Sequence, residues 1–145
     1  MILTVGAVVV AVVLVAAAYV LTDGFHLQAK SATFDLIPAE SYYSLPGGQY
    51  NAVTFQAHNP SVLTGTFSNT LGVAVYLLDP VQMKALNHNG TVGAYYWTSG
   101  RVANLTVYDL DAAVPVGSWN VVFLNPEELN TTVVGFYTAV ELGPS

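Results

Sequence analysis

The chain has 145 residues, of which 53% are hydrophobic and 8% charged, and its formal net charge is −6. Lys30, Lys84 and Arg101 are its only basic side chains, so the clustered cations that grip phosphates are missing; nucleic acid is excluded and anionic membrane surfaces are disfavoured. With no cysteine, thiol catalysis, disulfides and cysteine metal sites are excluded too.

The first 22 residues, Met1 to Thr22, carry no charged side chain. As a helix rising about 1.5 Å per residue they would run roughly 33 Å, the thickness of a bilayer's hydrocarbon core. Asp23 and Gly24 end the apolar run, and residues 25–31 continue it as more helix or as a stalk. The chain therefore divides into an N-terminal hydrophobic helix and stalk, 1–31, and a β-rich head, 32–145. Three roles compete for the helix. A secretory signal would have a small-residue cleavage site at Ala16-Ala17-Ala18 but lacks a basic start. A plain membrane anchor would leave the head outside, as Asp23 and the glycosylation acceptors favour. A helix made to pack with other helices fits the small residues Gly6, Ala7, Ala11, Ala16, Ala17 and Ala18, which let backbones approach closely.

In the head, period-two alternation dominates. Strands are expected over 33–37, 41–45, 50–58, 62–68 and 72–78, with Pro46-Gly47-Gly48 as a hairpin turn. Asp79-Pro80-Val81-Gln82 then reads as a helix start: Asp79 caps, Pro80 fits the first position and Gln82 reaches back. That helix should end near Asn87. Further strands are expected over 92–98, 103–110, 118–124 and 132–142, with Trp119, Val121 and Phe123 as an inward row. The last has apolar residues on both faces, which suits a central or covered strand. The fold class expected is mainly β: one N-terminal hydrophobic helix, then an immunoglobulin-like or Greek-key β-sandwich of about eight strands with one short crossover helix.

Chemistry-bearing residues are sparse. His26, His58 and His88 are scattered singly, with no zinc-ligand spacing, and Ser99 sits in a turn without a nucleophile context. Asp109 and Asp111 alternate on one strand face, and Glu127-Glu128 lies in a loop; solvated charge is the plain reading, and shared Ca²⁺ would need a loop carbonyl as well. The chain is thus expected to be no enzyme, with no metal and no cofactor. Glycosylation acceptors occur at Asn89, Asn104 and Asn130, whereas Asn59 is blocked by Pro60. Tyr42, Tyr95, Tyr96 and Trp97 are candidate interface residues. Their strands carry rings on both faces; one face must be core, and the other a subunit interface or a sugar platform.

The stretch Val12 to Ala32, VVLVAAAYVLTDGFHLQAKSA, resembles the N-terminal region of archaeal pilins and archaellins. The resemblance implies a chain freed of a basic leader, a helix held in the membrane before assembly, and identical subunits packed into a cell-surface filament. Bacterial pilins carry a glutamate at the fifth mature position; here it is Val5, which argues against the bacterial branch alone. The segments Leu71 to Gln82 and Gly117 to Pro126 look like units of archaeal and bacterial extracytoplasmic sandwiches, which bind or build and share no common active site. The other roles that stay open are a single-span accessory subunit of a membrane complex, with its head outside, and a carbohydrate-binding adhesin.

Overall fold

The computed structural model describes residues 9–10, 33–104 and 106–145. The expected helix and stalk over 1–31, with Gly6, Ala7, Ala11, Ala16, Ala17 and Ala18, lie outside the described residues except at Val9 and Val10. There the backbone is a two-residue strand, β1 (Val9–Val10), not a helix. It pairs in parallel with Val53 and Thr54. Valine's β-branch favours extended backbone, and the strand it joins would otherwise offer unpaired N–H and C=O groups there.

Ten more strands and one helix follow in chain order: β2 (Phe34–Ile37), β3 (Tyr42–Leu45), β4 (Tyr50–Ala57), β5 (Ser61–Asn69), β6 (Gly72–Leu78), α1 (Pro80–Asn89), β7 (Trp97–Ala103), β8 (Tyr108–Val114), β9 (Gly117–Leu124), β10 (Thr132–Phe136) and β11 (Val140–Pro144). They form two sheets. One runs β1-β4-β9-β6-β7; the other runs β2-β11-β5-β10-β3, with β8 on the free edge of β5. Apart from β1, every pairing is antiparallel.

Both sheets contribute to one interior. Val53, Phe55, Val75, Leu77, Val121 and Phe123 come from the first; Leu63, Phe67, Leu110, Val134, Phe136 and Val140 come from the second. Phe67, Phe123 and Phe136 meet at centroid separations of 5.2–6.0 Å and close the middle. Each fully buried side chain of this size contributes about 1.5–3 kcal/mol relative to exposure.

The outer faces differ. In the first sheet, β6 and β9 are buried on both sides. Their outward residues Leu78 and Val122 join Tyr50, Ala52 and Leu86 of α1 in a second apolar cluster. The helix starts as its sequence requires: Asp79 accepts from Gln82 N at 2.8 Å, and Gln82 Oε1 accepts from Asp79 N at 3.0 Å. It ends at Gly90, whose left-handed φ of 73° suits glycine. The expectation of a crossover helix is corrected. Since β6 and β7 are paired antiparallel neighbours, α1 sits inside a long hairpin connection and folds over its own sheet. Among the described residues the second sheet has no such cover: in β8, Asp109, Asp111 and Ala113 are exposed, alternating with buried Leu110, Ala112 and Val114.

The expected hairpin at Pro46-Gly47-Gly48 is corrected as well. Strand β3 belongs to one sheet and β4 to the other, so the turn is a corner between sheets. It is stabilised by the loop 125–131 rather than by a partner strand. Gly48 N donates to Glu127 O at 2.7 Å. The side chain of fully buried Asn125 donates to Leu45 O and Asn130 O and accepts from Glu127 N, at 2.6–2.9 Å. A Cβ on Gly47 would lie 2.4 Å from Glu128 O, so glycine lets the two backbones touch.

The strand expected over 132–142 is two strands laid end to end. Strand β8 pairs with β5 from Ser61 to Phe67, so β10 and β11 must share the opposite edge, β10 beside Phe67–Asn69 and β11 beside Ser61–Thr64. The chain leaves the ladder at Tyr137–Ala139. Outside them, β2 and β3 make the same break, where Glu40 takes a φ of 60°. Tyr95 and Tyr96 precede β7 instead of lying in a strand, because Trp97 is the first residue that pairs with β6.

Replacing Asn125 by alanine strands several buried backbone partners and is expected to cost about 3 kcal/mol. Gly47→Ala should destabilise by about 2 kcal/mol or more through backbone overlap. Gly93→Ala, with open space around it, should be near neutral. Thermal melting followed by circular dichroism checks all three.

Candidate functional site

The outer face of the second sheet, uncovered among the described residues, is where surface side chains converge. Its strands alternate by twos, so one set of side chains faces the core and the other faces out. The outward set includes Asp35 on β2, Tyr42 and Ser44 on β3, Val133 and Gly135 on β10, Val62, Thr64, Thr66 and Ser68 on β5, Asp109, Asp111 and Ala113 on β8, and Glu141 on β11.

The break between β10 and β11 gives this face relief. Tyr137 N and Thr138 N both donate to Thr66 O, at 2.8 and 3.3 Å. In return, Thr138 Oγ1 accepts from Thr66 N at 2.8 Å. The backbone groups of Thr66 on β5 thus hold both Tyr137 and Thr138 of the bulge. Beneath it, Gly65 has no Cβ; one would lie 3.1 Å from Ala139 O and from Val140. Beside it, Thr66 Oγ1 donates to Asp109 Oδ1 at 3.2 Å. The result is a recess of about 440 Å³ lined by Thr64, Thr66, Asp109, Thr138 and Glu141 among others.

Two exposed tyrosines lie outside the recess lining, Tyr42 on β3 and Tyr137 in the bulge. Tyr137 is 61% exposed and Tyr42 is 72% exposed. Tyr42 pairs with Gly135, over which a Cβ would meet nothing, so the floor beside it is flat. The Tyr137 hydroxyl accepts from Ser68 Oγ at 3.2 Å. Deeper, burial pushes the phenol of Tyr108 upward, and the charge of Asp111 adds to it; burial alone raises those of Tyr43 and Tyr50. All three phenols stay neutral at physiological pH and serve packing.

The candidate interface residues do not form one patch. Tyr42 lies on the second sheet, whereas Tyr95, Tyr96 and Trp97 lie at the entry to β7 of the first. Tyr95 packs on Tyr76 at 5.6 Å and Tyr96 on Trp119 at 4.9 Å. Trp97 is partly buried against the core. The residue the sequence reading passed over is Tyr137, grouped there with a strand apolar on both faces. Asp109 and Asp111 do face the same way, and among the described residues no three His, Cys, Asp or Glu side chains come together to hold a metal ion.

Asn89 ends α1, Asn104 follows β7 and Asn130 sits in the loop that Asn125 holds; all three are exposed. Their partners differ. Thr91 and Thr106 are exposed, but Thr132 is fully buried and its Oγ1 accepts from Leu71 N at 3.2 Å.

Compared with models of protein families and with curated proteins, the chain matches none. Among the described residues, no helix is long and apolar enough to cross a membrane.

If sugar is attached after folding, occupancy should appear at Asn89 and Asn104 and be lower at Asn130, whose acceptor threonine is enclosed. Intact-mass and glycopeptide spectrometry of the mature protein measures this directly.

Proposed function

We propose that the chain is a structural subunit of a cell-surface filament of the archaeal type IV pilus kind. In this reading the N-terminal segment, inserted in the membrane before assembly, becomes a helix in the filament core. The heads form the sheath, partnered with identical subunits and carrying N-linked glycans at exposed asparagines. The observation that carries the reading is an uncharged 22-residue stretch, rich in valine and alanine, fused to a β-rich head. A core of packed helices tolerates no charge and needs small side chains at its contacts. The head supports the reading only as a β-sandwich: its chain changes sheet at each step from β3 to β6 and again from β7 to β10, the alternation of a double Greek key or jelly roll, which corrects the immunoglobulin-like expectation, since an immunoglobulin domain keeps pairs of consecutive strands in one sheet.

Assembly asks something specific of Val9 and Val10. To enter a helical core they must leave β4, giving up a parallel contact of only two residues. A pairing that short is a small opposing term beside burial of a whole helix.

Gly6→Leu and Ala17→Phe each place a bulky side chain at a proposed helix contact. Both variants should abolish filaments in electron microscopy of sheared cell surfaces while the thermal melt of the head stays within about 0.5 kcal/mol of the parent. Intact filaments from both variants would overturn the proposal. Recovery of the chain in a detergent-solubilised complex of different subunits, with no filaments, assigns it instead to a membrane complex as a single-span accessory subunit.

A further inference from the structure

We propose that the recess on the outer face of the second sheet, together with the exposed Tyr137 that adjoins Thr138 of its lining, binds a neutral glycan. The inference goes beyond the filament reading and does not depend on it, since the site lies wholly within one head.

The chemistry of the lining selects the ligand. Thr64, Thr66 and Thr138 present hydroxyls and Asp109 and Glu141 present carboxylates, with Gly65, Leu110 and Ala139 supplying the rest of the wall, around a space of about 440 Å³. Hydroxyls both donate and accept, whereas ionised carboxylates only accept. A ligand that satisfies such a lining must be rich in donors and carry acceptors too, which describes a polyol.

The adjoining tyrosine adds the second requirement. A pyranose has an apolar C–H face as well as hydroxyls, and an exposed phenol ring offers a complementary flat surface with a polar tip. Tyr137 supplies that ring directly beside Thr138, and the hydrogen bond from Ser68 restrains its hydroxyl. Tyr42, beside the open floor at Gly135, offers a second ring on the same face, where a longer chain of sugars would lie.

Charge removes the competitors. The basic side chains among the described residues are Lys84, on α1, and Arg101, on β7, which pairs with Glu127. Both belong to the other side of the sandwich. Asp109, Asp111 and Glu141 make the recess acidic, so phosphates, sulfated sugars and uronic acids are repelled. The carboxylates gather no third metal-ligating group, which leaves an uncharged ligand as the best match.

The recess is also built rather than incidental. Thr66 gives both its backbone N–H and its carbonyl to the bulge, fixing the wall on which Thr138 stands. The missing side chain of Gly65 lets that wall sit as close as it does.

The test is affinity electrophoresis of the full chain through native gels containing soluble mannan or dextran, both neutral, or alginate, which is anionic. The proposal expects retardation by at least one neutral polysaccharide and none by alginate. Tyr137→Ala and Asp109→Asn should each weaken that retardation by about tenfold in apparent Kd, as loss of one charge-assisted or stacking contact implies. Lys84→Ala, on the opposite side, should leave it unchanged. Thermal melts confirm that the variants fold; Asp109→Asn keeps the shape of the side chain, and Tyr137 is exposed. Migration unaffected by both neutral polymers overturns the proposal, as does equal retardation by alginate. Variants that fold and bind like the parent overturn it too. Because binding is read on the unassembled chain, its failure leaves the filament reading standing, and loss of filaments leaves this one standing.

Discussion

A strand buried on both faces must find apolar cover twice. In this head that requirement falls on β6 and β9, which lie in the middle of one sheet and carry Val, Leu and Phe on both sides. Their inner residues are met by the second sheet. Their outer residues are met by α1, through Leu86, and by neighbours such as Tyr50. Once the helix is committed to that task, no other described element covers the second sheet, whose outer face carries threonine, serine and carboxylates beside Tyr42, Val62 and Val133. The difference between the two faces follows from that one allocation.

The same logic explains why the loops are unequal. The loop 125–131 is short of apolar side chains, yet it is fixed by the amide of Asn125, which reaches two carbonyls and one N–H. That amide holds the corner where the chain changes sheets. The exposed ion pair of Arg101 with Glu127 joins the same loop to β7 and adds little, since solvent screens it.

How far the sequence discloses this depends on the kind of signal. Gly72–Leu78 and the Asp79 cap were legible because strand alternation and a capping box are local patterns, each complete within a few residues. The corner at Pro46–Gly48 was not. A hairpin and an inter-sheet corner use the same turn residues, and the choice is made by Glu127 and Glu128, about 80 residues away. The recess was half legible. Asp109 and Asp111 announced a shared face, but the break at Tyr137–Ala139 depends on where β5 stops accepting partners, which no local pattern encodes. At Val9 and Val10, hydropathy is silent between helix and strand, because valine is apolar in both and β-branched besides.

The bulge at Tyr137–Ala139 has a consequence for how such a surface can change over generations. Register on either side of it is held independently, by Val134 and Phe136 before and by Val140 and Leu142 after, all buried in the common interior. Residues between these anchors can be lengthened, shortened or exchanged without shifting either strand by the single step that would turn its buried side chains outward. Descendants of this chain can therefore alter the contour and chemistry of one surface while inheriting an unaltered interior. A change confined there is harmless to folding and visible to whatever the head encounters.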